Sequence, residues 1–105
     1  MGMKYEIQRQ SFRKGYGGFW YDNTGDYFID SFRTLEEAVE VAKWYAEQSS
    51  KGLLNSNIYV WKMDANDEPA QLLYEYEPFK KSNRPDAADE AYSCNREISL
   101  EGDEV

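Results

Sequence analysis

The chain has 105 residues, with 12 Lys and Arg against 20 Asp and Glu, a net charge of −8 and no His. That bounds it to one small core and removes the commonest general base and metal ligand. Apolar residues run consecutively only in short stretches, so neither a transmembrane helix nor a signal peptide is expected, and the single Cys94 points to a reducing, cytoplasmic setting.

Lys4 to Ser11 alternates Tyr5 and Ile7 with Glu6 and Gln8, the period of a half-buried strand. Arg13-Lys14-Gly15-Tyr16-Gly17-Gly18 reads as a loop, because its glycines free the backbone. Phe19-Trp20-Tyr21 and Tyr27-Phe28-Ile29 read as two strands of a hairpin turned through Asp22-Asn23-Thr24-Gly25-Asp26. Thr34, three residues before Glu37, forms a capping box that starts a helix over 35–50. Leu35, Ala38, Val39, Ala42, Tyr45 and Ala46 share its apolar face. Ile58-Tyr59-Val60-Trp61 and Gln71 to Tyr76 follow as strands joined through residues 64–69.

The predicted order is β-β-β-α-β-β, an α+β fold with an antiparallel sheet of about five strands and one helix packed on one face. Sixteen of the 17 aromatic residues precede residue 80, so a single domain over 1–79 is expected, followed by a polar acidic tail over 80–105. The tail carries too little apolar surface to offset its ordering entropy, and is expected to be disordered or ordered by a partner.

No arrangement of nucleophile and base stands out, and the expected role is non-enzymatic, with no cofactor. Asp22, Asp26 and Asp30 recur at four-residue spacing, but Asp beside Asn and Gly is ordinary turn chemistry and no calcium-loop spacing is present, so no metal is expected. Cys94 stands in the polar tail without a neighbouring base. Residues 1 to 21 carry Lys4, Arg9, Arg13 and Lys14 against Glu6, a balance of +3. Arg9, Arg13, Lys14, Tyr16 and Trp20 therefore form an alternative nucleic-acid-binding set, although the overall −8 disfavours direct nucleic-acid binding.

The helix holds an anomaly. With its apolar face inward, Trp44 falls on the opposite side among Glu37, Glu40, Glu47 and Val41, where an indole is expected to face solvent as an interface anchor. Large side chains also occupy both alternating faces of the strands, and one helix can cover only one of them. The second face needs a curled sheet, the tail, a second copy of the chain or another protein. The expected partner is a protein with a basic surface met by Trp44 and the carboxylates, Asp22, Asp26 and Asp30 included; a homodimer is the alternative, and no membrane is involved.

The segment Ser31-Phe32-Arg33-Thr34-Leu35-Glu36-Glu37-Ala38, a strand end running into a capped helix, resembles the hairpin–helix–hairpin pattern of short phage and mobile-element proteins. In type and composition the chain is similar to small acidic phage-encoded inhibitors of host defence, including anti-CRISPR proteins. That resemblance implies an inhibitor in the host cytoplasm that occupies a basic nucleic-acid-binding groove of a defence complex.

Overall fold

The computed structural model describes residues 4–81 and 91–94, except the side chains of Tyr16 and residues 24–26. Among the described residues the order is β1 (Lys4–Lys14), β2 (Trp20–Phe32), α1 (Leu35–Ser50), β3 (Ser56–Met63), β4 (Pro69–Tyr76), β5 (Phe79–Lys81) and β6 (Ala91–Cys94). All pairings are antiparallel in one sheet of order β4-β3-β1-β2-β6-β5. The fold is α+β, one helix on an antiparallel sheet.

Two strands precede the helix, not three. The hairpin expected at Asp22–Asp26 does not form, because β2 runs straight through it. Gln10 pairs with Asp26 and Phe12 with Asp22, so residues 23–25 stand opposite Ser11 alone as a bulge. Asn and Gly, which tolerate unusual backbone geometry, serve a bulge as well as a turn. The chain reverses at the loop expected over Arg13–Gly18, where Gly15 N–H donates to Phe19 C=O at 2.7 Å and Gly17 and Gly18 adopt φ of 74° and 83°. A side chain rarely adopts either angle.

The boundary expected at Phe79 also moves. Ala91–Cys94 pairs with both β2 and β5, so part of the expected tail belongs to the sheet. Residues 82–90 and 95–105, on which the expectation of disorder also falls, lie outside the described residues.

One layer lies under the helix. α1 buries Ala38, Ala42, Ala46 and Ser49, a stripe of small residues at three- and four-residue spacing. Small side chains let the helix axis approach the strands closely, and the bulk comes from the sheet: Ile7, Ile58 and Val60 are fully buried, ringed by Tyr5, Phe32, Tyr74 and Tyr76. Leu35, expected on the buried face, stands in the first turn and is 37% exposed. Thr34 caps the helix by accepting the Glu37 N–H at 3.2 Å, and its hydroxyl donates to Glu37 Oε1 at 2.9 Å. At the other end the buried Ser49 hydroxyl donates to Ser56 C=O at 2.7 Å and accepts the Ser56 N–H at 3.3 Å, tying the last turn to the start of β3.

The second layer is built by curvature. β4 and β5 are the outermost strands of the order, yet only Glu77 and Pro78 separate them in sequence, so the sheet must curl until its ends meet. Asn57, 1% exposed, bridges the junction by donating to Phe79 C=O and accepting the Phe79 N–H, both at 3.0 Å. The Tyr59 hydroxyl donates to Glu77 Oε2 at 2.8 Å nearby. Within the curl Phe12 stacks on Phe79 at 4.5 Å between ring centroids, Tyr92 meets Phe12 edge-on at 4.8 Å and Trp20 meets Phe79 edge-on at 4.9 Å. Part of the second sheet face is thus sheltered by the chain itself.

Candidate functional site

The outer side of α1 sets exposed apolar side chains, Leu35 and Trp44, beside charge. Ala38, Ala42 and Ala46 face the sheet, and at about 100° per residue this sets Trp44 on the opposite side. It is 55% exposed, as its position in the helical period predicts. The indole is not loose: it meets the half-buried Tyr45 ring at 5.0 Å and an interplanar angle of 89°. Edge-to-face contact of this kind holds a ring's orientation.

Beyond the helix the chain folds back beside the indole. Leu53 N–H and Leu54 N–H both donate to Gln48 C=O, at 2.9 and 3.3 Å, which presents Leu53 69% exposed. Trp44, Tyr45, Gln48, Leu53 and Leu54 line a shallow groove of about 320 Å³. A second groove of about 490 Å³ runs toward the helix start between Leu35, Glu36, Val39, Glu40 and Lys43. Sequence reasoning missed Leu53, although two leucines directly after Gly52, where a helix has ended, are a visible signal.

The carboxylates around Trp44 divide by role. Glu40 and Glu47 are exposed four residues before and three after it, one turn away on either side. Glu47 also pairs with Lys51 at 3.1 Å. Glu37 is engaged in capping through Thr34. Val41, expected beside the indole as part of the contact surface, is half-buried and packs against the core.

The aspartates do not join this surface. Asp22 stands opposite Phe12 and accepts from the Gln10 side chain at 3.0 Å, whereas Asp30 stands opposite Ile7. Because Phe12 and Ile7 point to opposite sides of β1, the two carboxylates occupy opposite faces of the sheet. The Asp26 side chain lies outside the described residues. Among the described residues no three acidic or cysteine side chains converge, and Cys94 is half-buried opposite Phe79 in β6.

The basic set is likewise divided. Arg9 lies over the Tyr27 ring at 5.5 Å and Lys14 over the Trp20 ring at 6.0 Å. Arg9 and Arg13 share one face of β1 and Lys14 takes the other, with Trp20 beside it. The Tyr16 side chain lies outside the described residues. No helix among the described residues is long and apolar enough to cross a membrane. Comparison with known proteins returned no matching family model, no matching curated relative and no matching solved structure.

Proposed function

We propose that the chain is a non-enzymatic protein-binding module that docks through the outer side of α1, with Trp44 and Leu53 as apolar anchors and Glu40 and Glu47 beside them. The observation that carries the reading is the Trp44 indole, held against Tyr45 yet 55% exposed beside a Leu-lined groove. A ring with its orientation already fixed loses little freedom on binding, and aromatic anchors of this sort dominate interface energetics. The flanking carboxylates suit a basic partner and act mainly on association rate. A nucleic-acid-handling complex, the target class of the phage-encoded inhibitors that the composition resembles, is a partner of that chemistry.

Capture from the native host with wild-type and Trp44→Ala chains in parallel, followed by binding to the purified partner, tests the reading. Wild-type binding that Trp44→Ala loses at unchanged thermal midpoint, with an on-rate that falls as salt rises, supports it. A partner bound equally by Trp44→Ala removes it. A second reading, self-association through the outer sheet face, is favoured by Phe28 at 59% exposure and the exposed Leu72. A stable dimer in light scattering at low micromolar concentration would favour that alternative.

A further inference from the structure

On the outer side of α1 the helical period sorts what surrounds Trp44. At about 100° per residue, Tyr45 and Gln48 fall to one side of it, where Leu53 and Leu54 complete the apolar groove. Glu40 and Glu47 fall to the other side, by about 40° and about 60°. The indole therefore divides an apolar side from a carboxylate side. A ligand that bridges the two needs an apolar group and a cation close together.

The indole is placed to serve both. Tyr45 stands at 89° to it and meets at most one of its faces, and the residue is 55% exposed. The chain's own cations lie over other rings, Arg9 over Tyr27 and Lys14 over Trp20, and among the described residues none lies over Trp44. Glu40 is exposed and forms no ion pair among the described residues, with Lys43 three positions on or with any other cation. Glu47 shares an exposed pair with Lys51, which water and salt keep weak. Glu36, Glu37, Glu40 and Glu47 against Lys43 and Lys51, four against two, leave this side of the helix at −2. An anionic ligand is repelled there, and a second copy of the chain would bring another −8.

Resting on the reading of this surface as the docking site, we propose that its partner presents an arginine beside an apolar residue. The guanidinium lies over the open face of Trp44 within reach of Glu40, and the apolar residue enters the groove at Leu53. Arginine suits the site better than lysine, because its planar and weakly hydrated group both stacks on an aromatic face and pairs with a carboxylate. Lysine carries a compact charge that holds its water more strongly.

The test is fluorescence anisotropy of a labelled peptide of about ten residues alternating arginine with leucine, about 33 Å when extended and so longer than α1, titrated with the full chain. Saturable binding is expected. An exposed cation–π contact is equivalent to about two- to fivefold in affinity. Citrulline in place of arginine, which removes the charge and keeps the shape, should therefore weaken binding at least about threefold, and lysine at least about twofold. Trp44→Leu, at unchanged circular dichroism, should cost the arginine peptide about twofold more than it costs the citrulline peptide. Glu40→Gln should show the same preference. Glu75→Gln, an equal change of charge on the sheet face away from α1, should have no effect.

The proposal is overturned if no peptide binds, if the citrulline or lysine peptide binds as tightly as the arginine peptide, or if Glu75→Gln weakens binding as much as Glu40→Gln. A dimer in light scattering that Trp44→Ala dissociates overturns it in favour of a second copy as the occupant. Failure of the peptide with a host partner still lost on Trp44→Ala removes the arginine assignment alone. A partner that Trp44→Ala binds equally removes the docking reading beneath it.

Discussion

Asn57 and Phe79, 22 residues apart, satisfy each other through a reciprocal pair of hydrogen bonds, the side-chain amide of one answering both backbone groups of the other. The amide takes the place of a neighbouring strand's backbone near the junction where the two ends of the curled sheet meet. Asn57→Ala therefore removes one hydrogen bond from each of two buried backbone groups, at about 1–3 kcal/mol apiece where the group is left unsatisfied. A loss of about 3 kcal/mol is expected in urea unfolding, and a loss below about 1 kcal/mol would show that the junction closes without the amide.

The two sides of α1 should respond oppositely to substitution. Ala42 is fully buried, and Ala42→Leu forces extra volume between helix and sheet at a cost of about 1–3 kcal/mol. Trp44→Ala and Leu53→Ser, on the exposed side, should each stay within about 0.5 kcal/mol of wild type. Thermal melts of the three variants check the contrast.

Ser49→Ala removes the hydroxyl that serves both Ser56 backbone groups inside the core. A destabilisation of about 1–3 kcal/mol is expected from the unsatisfied groups left behind. Hydrogen exchange should locate the loosening at the end of α1 and the start of β3.

Tyr74, half-buried against the helix layer, has its phenol held above the ordinary value of 10.0, first by burial and then by the neighbouring Tyr76. The folded chain therefore keeps this proton more tightly than the unfolded one. The associated stability is fully present below pH 10 and is lost as pH rises through the folded-state value. Tyr74→Phe should flatten the alkaline limb of the stability profile above pH 10 without changing the neutral region. Lys4, raised by hydrogen bonds to Asp67 and then Glu6, loses its contribution in the same direction and should remain visible in that variant.

Legibility in the sequence followed the range of the interactions. The α+β class, the helix at 35–50 and the outward Trp44 all rest on local periodicity and a local cap, which one stretch of chain contains. The loop at Gly15–Gly18 was legible, but a second turn was expected around Gly25 because both glycine-bearing segments suit a reversal. Only the register against β1 makes one a turn and the other a bulge. Tyr92 gave no signal because its place in the ring cluster depends on pairing with Trp20, about 70 positions earlier. Asn57 was hidden similarly: a polar residue in a strand is unremarkable until a distant backbone, that of Phe79, arrives over it.

The division of the molecule into two layers has a dynamic consequence. The helix-side layer is complete once residues 4–76 are in place, whereas the ring cluster also needs β5 and β6, which hold only three and four residues. Segments so short, anchored by few contacts, open at lower free energy than the strands beneath them. The protein should therefore breathe as two units, a durable slab and a lid of rings, and Trp20 would report the opening of the lid while Trp44 stayed silent.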